Sequence, residues 1–303
     1  MIILWVVGLY FLSAVNLILR KMILAWSQPI FFQGMRLTIA GAVILGYLYL
    51  FRPAALRFKK ADLGLFFQVA LFFAYLSYLF SVITIEDLSS ARFAFMFTIS
   101  PFITAILAYF FLGQKLNKLE MVSLFLGFVG FLPLVLVGQQ EGIASASFLS
   151  WPGLQLFISN ATYAYGWILV SKLVNNRGYS PFLVTGIAFA GGGIATLCTS
   201  FLFENWLTVV PVTDLLRFST YLLAIILISE VIVSNTYATL LRYYSVTFLA
   251  FAGTLYPLFS ALLGWVFFQE KITYNFFISA SIVALALYLF YLAEKRKQSL
   301  VIK

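Results

Sequence analysis

Glu230 lies near the middle of an otherwise uncharged apolar run, residues 218–241. A carboxylate held halfway through a hydrocarbon layer of roughly 30 Å costs at least ~2.5–3.5 kcal/mol on insertion scales, so a helix bundle that keeps one has a use for it. Helical spacing puts Glu230, Ser234 and Tyr237 at i, i+4 and i+7, on one face. That face is expected to look into a polar cavity rather than at lipid. Two chemistries suit the carboxyl there: a counter-charge for a bound amine, or a group that takes and releases a coupling proton. A hydrogen bond to a neighbouring helix is the structural alternative.

Other apolar runs carry polar stripes of their own. Gln155, Ser159, Thr162 and Tyr163 follow helical spacing, with Trp167 one turn on. Tyr75 and Tyr78 share one face of their run, while Ser77, Ser81 and Thr84 share another; the first run offers Trp5, Ser13 and Asn16. Serine and threonine in such helices often bond their own i−4 carbonyl, so each alone says little. Tyrosine and tryptophan near Glu230 suit a cationic or aromatic ligand through cation–π contact and stacking.

Arg36 sits about two turns into its run, shallow enough to snorkel. A tie to backbone carbonyls or loop carboxylates is the favoured reading for it, ahead of ligand contact. Arg92 is suited to a ligand carboxylate, although a pair with Glu86 or Asp87 in the adjoining loop is favoured slightly. Pro101 and Pro257 lie mid-run; each removes a backbone hydrogen bond and is expected to kink its helix, as a gating hinge or as a shaper of the cavity. Gly191-Gly192-Gly193 is expected to serve close helix packing.

The elements that position these residues follow from composition. The chain has 303 residues, 63% hydrophobic and 10% charged, more apolar surface than a soluble core absorbs. Membrane-length apolar runs fall at 2–19, 29–51, 63–85, 88–112, 119–138, 151–171, 181–203, 218–241, 246–268 and 274–292. The expected fold is therefore an all-α polytopic membrane protein of ten spans, with loops too short for a soluble domain. The first run reads as a retained span, because no basic segment precedes it and Arg20-Lys21 follow it.

Of the nineteen Lys and Arg, thirteen fall on the side of the termini and five on the other, Arg20 and Lys21 among the five; Arg36 lies within a span. The positive-inside rule then places both termini in the cytoplasm. The net charge of +9 is a topology signal and not a nucleic-acid footprint. The chain contains no histidine, which excludes His-ligated metal sites, Ser-His triads and His proton relays, and the lone Cys198 excludes an internal disulfide. Paired intramembrane aspartates and Asp-rich motifs are also missing, so an intramembrane enzyme is disfavoured and no cofactor is expected.

The chain also repeats itself. An offset of 156 residues matches Ser89, Ala94, Phe95, Thr98, Pro101, Ala105 and Phe111 with Ser245, Ala250, Phe251, Thr254, Pro257, Ala261 and Phe267. An offset of 152 pairs Pro29 with Pro181, Gly34 with Gly186, Gly41 with Gly193 and Leu45 with Leu197. The proline and glycine pairs are the telling ones. Two units result, 1–140 and 141–303. Each holds five spans, an odd number, so the second must be inverted, the architecture of alternating-access carriers with a site at the repeat interface.

The stretch Ile99-Ser-Pro-Phe-Ile-Thr-Ala-Ile-Leu-Ala-Tyr-Phe-Phe-Leu-Gly-Gln-Lys-Leu116 resembles the fourth-helix signature of EamA-type carriers of the drug/metabolite transporter superfamily. The stretch Thr254-Leu-Tyr-Pro-Leu-Phe-Ser-Ala-Leu-Leu-Gly-Trp-Val-Phe-Phe-Gln-Glu-Lys-Ile272 resembles the ninth, including the closing Glu270 that Gln114 replaces in the first half. Arg36 matches a recurrent arginine of the family. The resemblance covers essentially the whole chain. It implies a carrier of small organic metabolites in the cytoplasmic membrane of a bacterium, with the cavity lined mainly by helices 1, 3, 4, 6, 8 and 9 and with helices 5 and 10 at the periphery.

The expected ligand is a small amine-bearing molecule. S-adenosylmethionine, which some members of the family exchange for its demethylated product, and aromatic or other neutral amino acids both fit an acid among aromatic rings. Phosphorylated sugars, which need several cations, do not. A lipid flippase or broad drug exporter is the alternative. The partners expected are the small-molecule substrate and membrane lipid, with no nucleic acid, and a monomer is the default. The residues expected at the substrate are Glu230, Ser234, Tyr237, Tyr163, Trp167, Asn16, Tyr75, Tyr78 and Arg92, with Arg36, Pro101 and Pro257 structural or gating.

Overall fold

The computed structural model describes residues 2–84, 99–138, 151–204, 206, 210–268 and 274–301. Arg92, Glu86, Asp87 and Glu270 lie outside them. The regular elements among the described residues are helices: α1 Ile2–Ile23, α2 Pro29–Phe51, α3 Leu63–Gln68, α4 Ser77–Thr84, α5 Ser100–Leu112, α6 Lys118–Gly138, α7 Trp151–Ser171 and α8 Pro181–Phe203. They continue with α9 Leu215–Ile225, α10 Asn235–Leu240, α11 Val246–Ala252, α12 Leu255–Phe268 and α13 Tyr274–Val301. Seven of the helical stretches described are long and apolar enough to cross a membrane. Their outward side chains are greasy: Leu50, Phe110, Phe203 and Leu216 are each more than 70% exposed, a surface that only lipid solvates well. The chain is an all-helical polytopic membrane protein.

Besides the short π-helical end of α7 at Lys172–Asn176, two long helical stretches are not plain α-helix. Val69–Leu76 joins α3 to α4 in π-helical form, and Ile226–Ser234 joins α9 to α10 in the same form. An i→i+5 turn widens the helix and leaves carbonyls that need donors. In the second stretch the donors are side chains. Ser234 Oγ donates to the Ser229 carbonyl at 3.0 Å and Asn235 Nδ2 to the Glu230 carbonyl at 2.9 Å.

The most extensively packed helix pair is α2 against α8, and glycine makes it possible. A Cβ on Gly41 would stand 2.4 Å from the Ala190 backbone nitrogen, and one on Gly193 would stand 2.4 Å from the Thr38 nitrogen. Gly34 likewise faces Leu197, and Gly186 faces Ile44 and Leu45. The order of contacts makes the pair antiparallel, and the 152-residue offset exchanges them: Gly34–Leu197 becomes Gly186–Leu45, and Gly41–Ala190 becomes Gly193–Thr38. At one end the carboxylate of Glu204, just past α8, accepts from the Ile30 and Phe31 backbone N–H groups at 2.7 Å each, satisfying the open start of α2. Gly192 packs on Ala74 of the first π-helical stretch, so the triple glycine serves packing on two sides.

The second close pair is α6 against α13. Here Gly130 faces Ile282 and Val283, and Gly127 faces Phe251 and Ala286. The contacts Gly130–Val283 and Gly127–Ala286 are exchanged by the 156-residue offset. Asn117 and Glu120 form a reciprocal capping box at the start of α6, with bonds of 2.8 and 2.7 Å.

Three expectations need correction. The first helix runs on to Ile23, so Arg20 and Lys21 stand inside it and not in a loop, and Arg20 is buried. The ninth run breaks outright at Gly253-Thr254, and Pro257 sits in the first turn of α12, where proline fits, instead of kinking a continuous helix. The Gly253 carbonyl that Pro257 leaves without its usual donor accepts from Tyr256 N at 3.0 Å. Pro101 likewise opens α5 from its first turn, after a turn residue at Ile99.

The glycine contacts are directly testable. Gly41→Val places carbon into backbone that cannot move aside, so it should destabilise the protein by about 1–3 kcal/mol or more, as overpacked cores do. Gly46→Ala, where a Cβ meets nothing within 4 Å, should melt at or slightly above the wild-type temperature. Equal melting curves for the two variants in detergent would refute the packing.

Candidate functional site

A cavity occupies the centre of the bundle. Its walls come from α1, α4, α5, α7, the second π-helical stretch with α10, and the break between α11 and α12. Those segments fall in the first, third, fourth, sixth, eighth and ninth apolar runs of the sequence. None of the described lining residues belongs to α6 or α13.

Among the described residues six aromatic rings face the cavity: Tyr10, Tyr78, Tyr163, Trp167, Tyr237 and Tyr256. Trp167 and Tyr237 stack with centroids 3.9 Å apart, and Tyr163 meets Trp167 edge-on at 5.9 Å. Phe73 backs this group from behind, 4.6 Å from Trp167. Gly166 lets it approach, because a Cβ there would lie 2.5 Å from that of Phe73.

The hydroxyl groups are mostly spent on backbone. Ser13 donates to Leu9 O at 2.8 Å, Thr104 to Ser100 O at 2.9 Å, and Ser159 across to Ser77 O at 2.7 Å. Asn16 keeps a buried Oδ1 without a partner.

Glu230 is fully buried but does not line the cavity. Its Oε1 lies 3.3 Å from Arg36 Nε, and both side chains are wholly inaccessible. The wide i→i+5 turn explains the position. It brings Ser229 to the cavity wall beneath Ser234 and Tyr237, where plain α spacing puts Glu230. Arg36 does not snorkel: its guanidinium stands 5.1 Å from the Tyr78 ring and 5.5 Å from the Phe32 ring, with Glu230 as counter-ion. The two residues read separately in the sequence form one buried pair.

Of the residues singled out from sequence, Asn16, Tyr78, Tyr163, Trp167, Ser234 and Tyr237 meet at this cavity. Tyr75 does not; its hydroxyl bonds Thr199 Oγ1 at 2.8 Å on the far side of its helix. Trp5 is 62% exposed on the outer surface. Arg92 falls outside the described residues.

Sequence reasoning missed two members of the centre. Asn235 bridges the π-helical stretch to α8, accepting from Thr185 Oγ1 at 2.7 Å. Arg20 lines the cavity. Its signal was present: it follows Asn16 by one helical turn and Ser13 by two, on the same face of α1.

The remaining described acids do other work. Glu120, Glu204, Asp214 and Glu294 serve helix ends, as in the bond that Glu294 accepts from Ser245 N at 2.7 Å, and Asp62 accepts from the Tyr179 hydroxyl at 2.7 Å and pairs with Arg177 at 3.2 Å. Glu230 is thus the one mid-membrane carboxylate among the described residues.

Three comparisons agree with this arrangement. A protein solved by crystallography superposes with a TM-score of 0.71, covering 97% of this chain and 96% of its own, at 15% identity, which is a likeness of fold. The S-adenosylmethionine/S-adenosylhomocysteine transporter of Chlamydia muridarum is 28% identical over 95% of this chain and 90% of its own. The protein of the same description from Chlamydia trachomatis serovar D is 29% identical over 95% and 88%. The profile of the EamA-like transporter family matches residues 1–136 and 150–292. Family and relatives alike are transporters and not enzymes, and this chain belongs to the EamA-like transporter family.

Proposed function

We propose that this chain exchanges S-adenosylmethionine for S-adenosylhomocysteine across the cytoplasmic membrane of a bacterium by alternating access. In this reading it spans the membrane ten times as two inverted five-helix repeats, 1–140 and 141–303, with both termini in the cytoplasm, and works as a monomer. The observation that carries the substrate is the cavity itself, where six aromatic rings and one lining cation meet among hydroxyl groups. Adenine offers a flat face to rings such as the stacked Trp167 and Tyr237, and a sulfonium or ammonium gains from the tyrosine faces. The likeness to the chlamydial transporters supports the same substrate.

The repeat reading rests on the exchanged glycine contacts of both helix pairs and on the two π-helical stretches, which fall at matching places and end before Ser77 and on Ser234. Broken helices at the cavity, as at Gly253-Thr254, are what a carrier needs to present backbone to a substrate. Tyr78, Tyr163, Trp167, Tyr237, Ser234 and Asn16 are assigned to the substrate, and Arg36 with Glu230 to one electrically neutral structural unit that orients Tyr78.

Two measurements test this. Purified protein in detergent should be stabilised by S-adenosylmethionine and by S-adenosylhomocysteine, by about 2.7 kcal/mol at a ligand concentration one hundred times Kd. Liposomes preloaded with one should take up the other. Stabilisation by phenylalanine or tyrosine alone would favour an amino-acid facilitator, and a panel that responds only to lipid would favour a flippase. For the pair, Glu230→Gln and Arg36→Gln should each destabilise by about 3–5 kcal/mol, because each strands a buried charge or its partner. The double variant Arg36→Met with Glu230→Leu should recover most of that loss. Additive losses in this cycle would sink the neutral-unit assignment.

A further inference from the structure

The charges at the centre do not balance. Arg36 and Glu230 neutralise each other at 3.3 Å, yet Arg20 shares their field together with Tyr78 and Tyr256. Arg20 is only 9% exposed, and its Nε and Nη2 are buried without a hydrogen-bond partner although the side chain lines the cavity. A guanidinium stripped of water and left unpaired is costly, and its planar fork of donors matches a carboxylate. The described acids other than Glu230 are engaged elsewhere, four at helix ends and Asp62 with Tyr179 and Arg177, so among the described residues none is left to pair with Arg20.

We propose that Arg20 is the anchor for a carboxylate of the transported molecule, and that the cargo class is therefore an α-amino acid, free or attached to a larger aromatic group. The excess is a single positive charge, which a carboxylate balances. A phosphate dianion would leave the site overfilled. The position suits the role: Arg20 lies one turn beyond Asn16 on the cavity face of α1, so one helix presents a cation and a free amide oxygen to the two ends of an α-amino acid group. The amine meets Asn16 Oδ1, which lacks a donor, and does not require Glu230, which Arg36 already holds.

This inference deepens the proposed function but does not stand or fall with it. The test uses ligand pairs that differ only in the carboxyl group, S-adenosylmethionine against its decarboxylated amine and phenylalanine against phenethylamine, titrated calorimetrically into the full-length protein in detergent. In the wild type the carboxylate member should bind at least about tenfold tighter, the gain expected of charge-assisted hydrogen bonds. Arg20→Gln should bring the ratio to about twofold or less by removing those bonds. Arg20→Lys, which keeps the charge without the fork, should retain only part of the ratio.

If the phenylalanine pair shows the ratio and the S-adenosylmethionine pair does not bind, the anchor stands and the nucleoside substrate falls. If the wild type binds amine and amino acid alike, prefers a nucleoside monophosphate, or binds no carboxylate at all, the anchor is overturned. A ratio that survives in Arg20→Gln overturns it as well. Should Arg20→Gln fail to fold, the wild-type and Arg20→Lys ratios decide the question.

Discussion

The contact on which the centre of this molecule depends is the ion pair between Arg36 and Glu230, 3.3 Å apart with neither side chain reaching solvent. Separating those charges in a medium that cannot solvate them is far more costly than in water, so the pair constrains the elements that bear it. It ties α2 to the π-helical stretch Ile226–Ser234. Much else follows from that tie. The glycine interface sets the depth of α2 against α8, Glu204 fixes the start of α2, and Asn235 braces the widened helix against Thr185. Phe32 and Tyr78 close over the guanidinium, and Tyr78 carries the effect onward to the cavity wall.

The two halves of the proposed repeat agree in packing and differ in chemistry. Small residues meet in contacts that the 152- and 156-residue offsets exchange, and long π-helical stretches join α3 to α4 and α9 to α10. The first π-helical stretch, however, holds no acid; its Phe73 stands behind Trp167 and lends the cavity a hydrophobic back wall. One half therefore supplies the acid and the other its cation, since Arg36 sits on α2. In a carrier of this architecture the frame that rocks can stay nearly symmetric while the site does not.

Much of this was legible in the sequence for identifiable reasons. The bounds of α2 and α8 were readable because proline opens each, and their packing because glycine recurs at a common offset. Glu230 stood out because hydrocarbon penalises charge. What failed was arithmetic that assumed α geometry. A π-helical turn shifts the register by one residue, so Ser229 took the place on the wall that i, i+4 spacing gave to Glu230. Arg20 was misread because Arg20-Lys21 looks like a topological doublet at the end of a span, and only tertiary packing decides which of two adjacent cations is buried. The pairing of Arg36 with Glu230, 194 positions apart, has no local signature at all.

The sealed position of Glu230 also bears on what an exchanger requires. S-adenosylmethionine carries a sulfonium that its demethylated product lacks, whereas both carry adenine and an amino-acid group. A free carboxylate aimed at the sulfonium would bind the first far more tightly than the second and hold it in the site. Binding energy placed on shared groups avoids that. In the proposed exchange, stacking surfaces such as Trp167 and Tyr237 would read the ring, and a cation such as Arg20 would read the carboxylate, equally in both molecules. The sulfonium then meets only the polarisable faces of tyrosines, an attraction of about 0.5–2 kcal/mol, small enough to be reversed by a modest concentration gradient. Locking Glu230, the one mid-membrane acid among the described residues, to Arg36 thus keeps it off the cavity wall, as the proposed exchange requires.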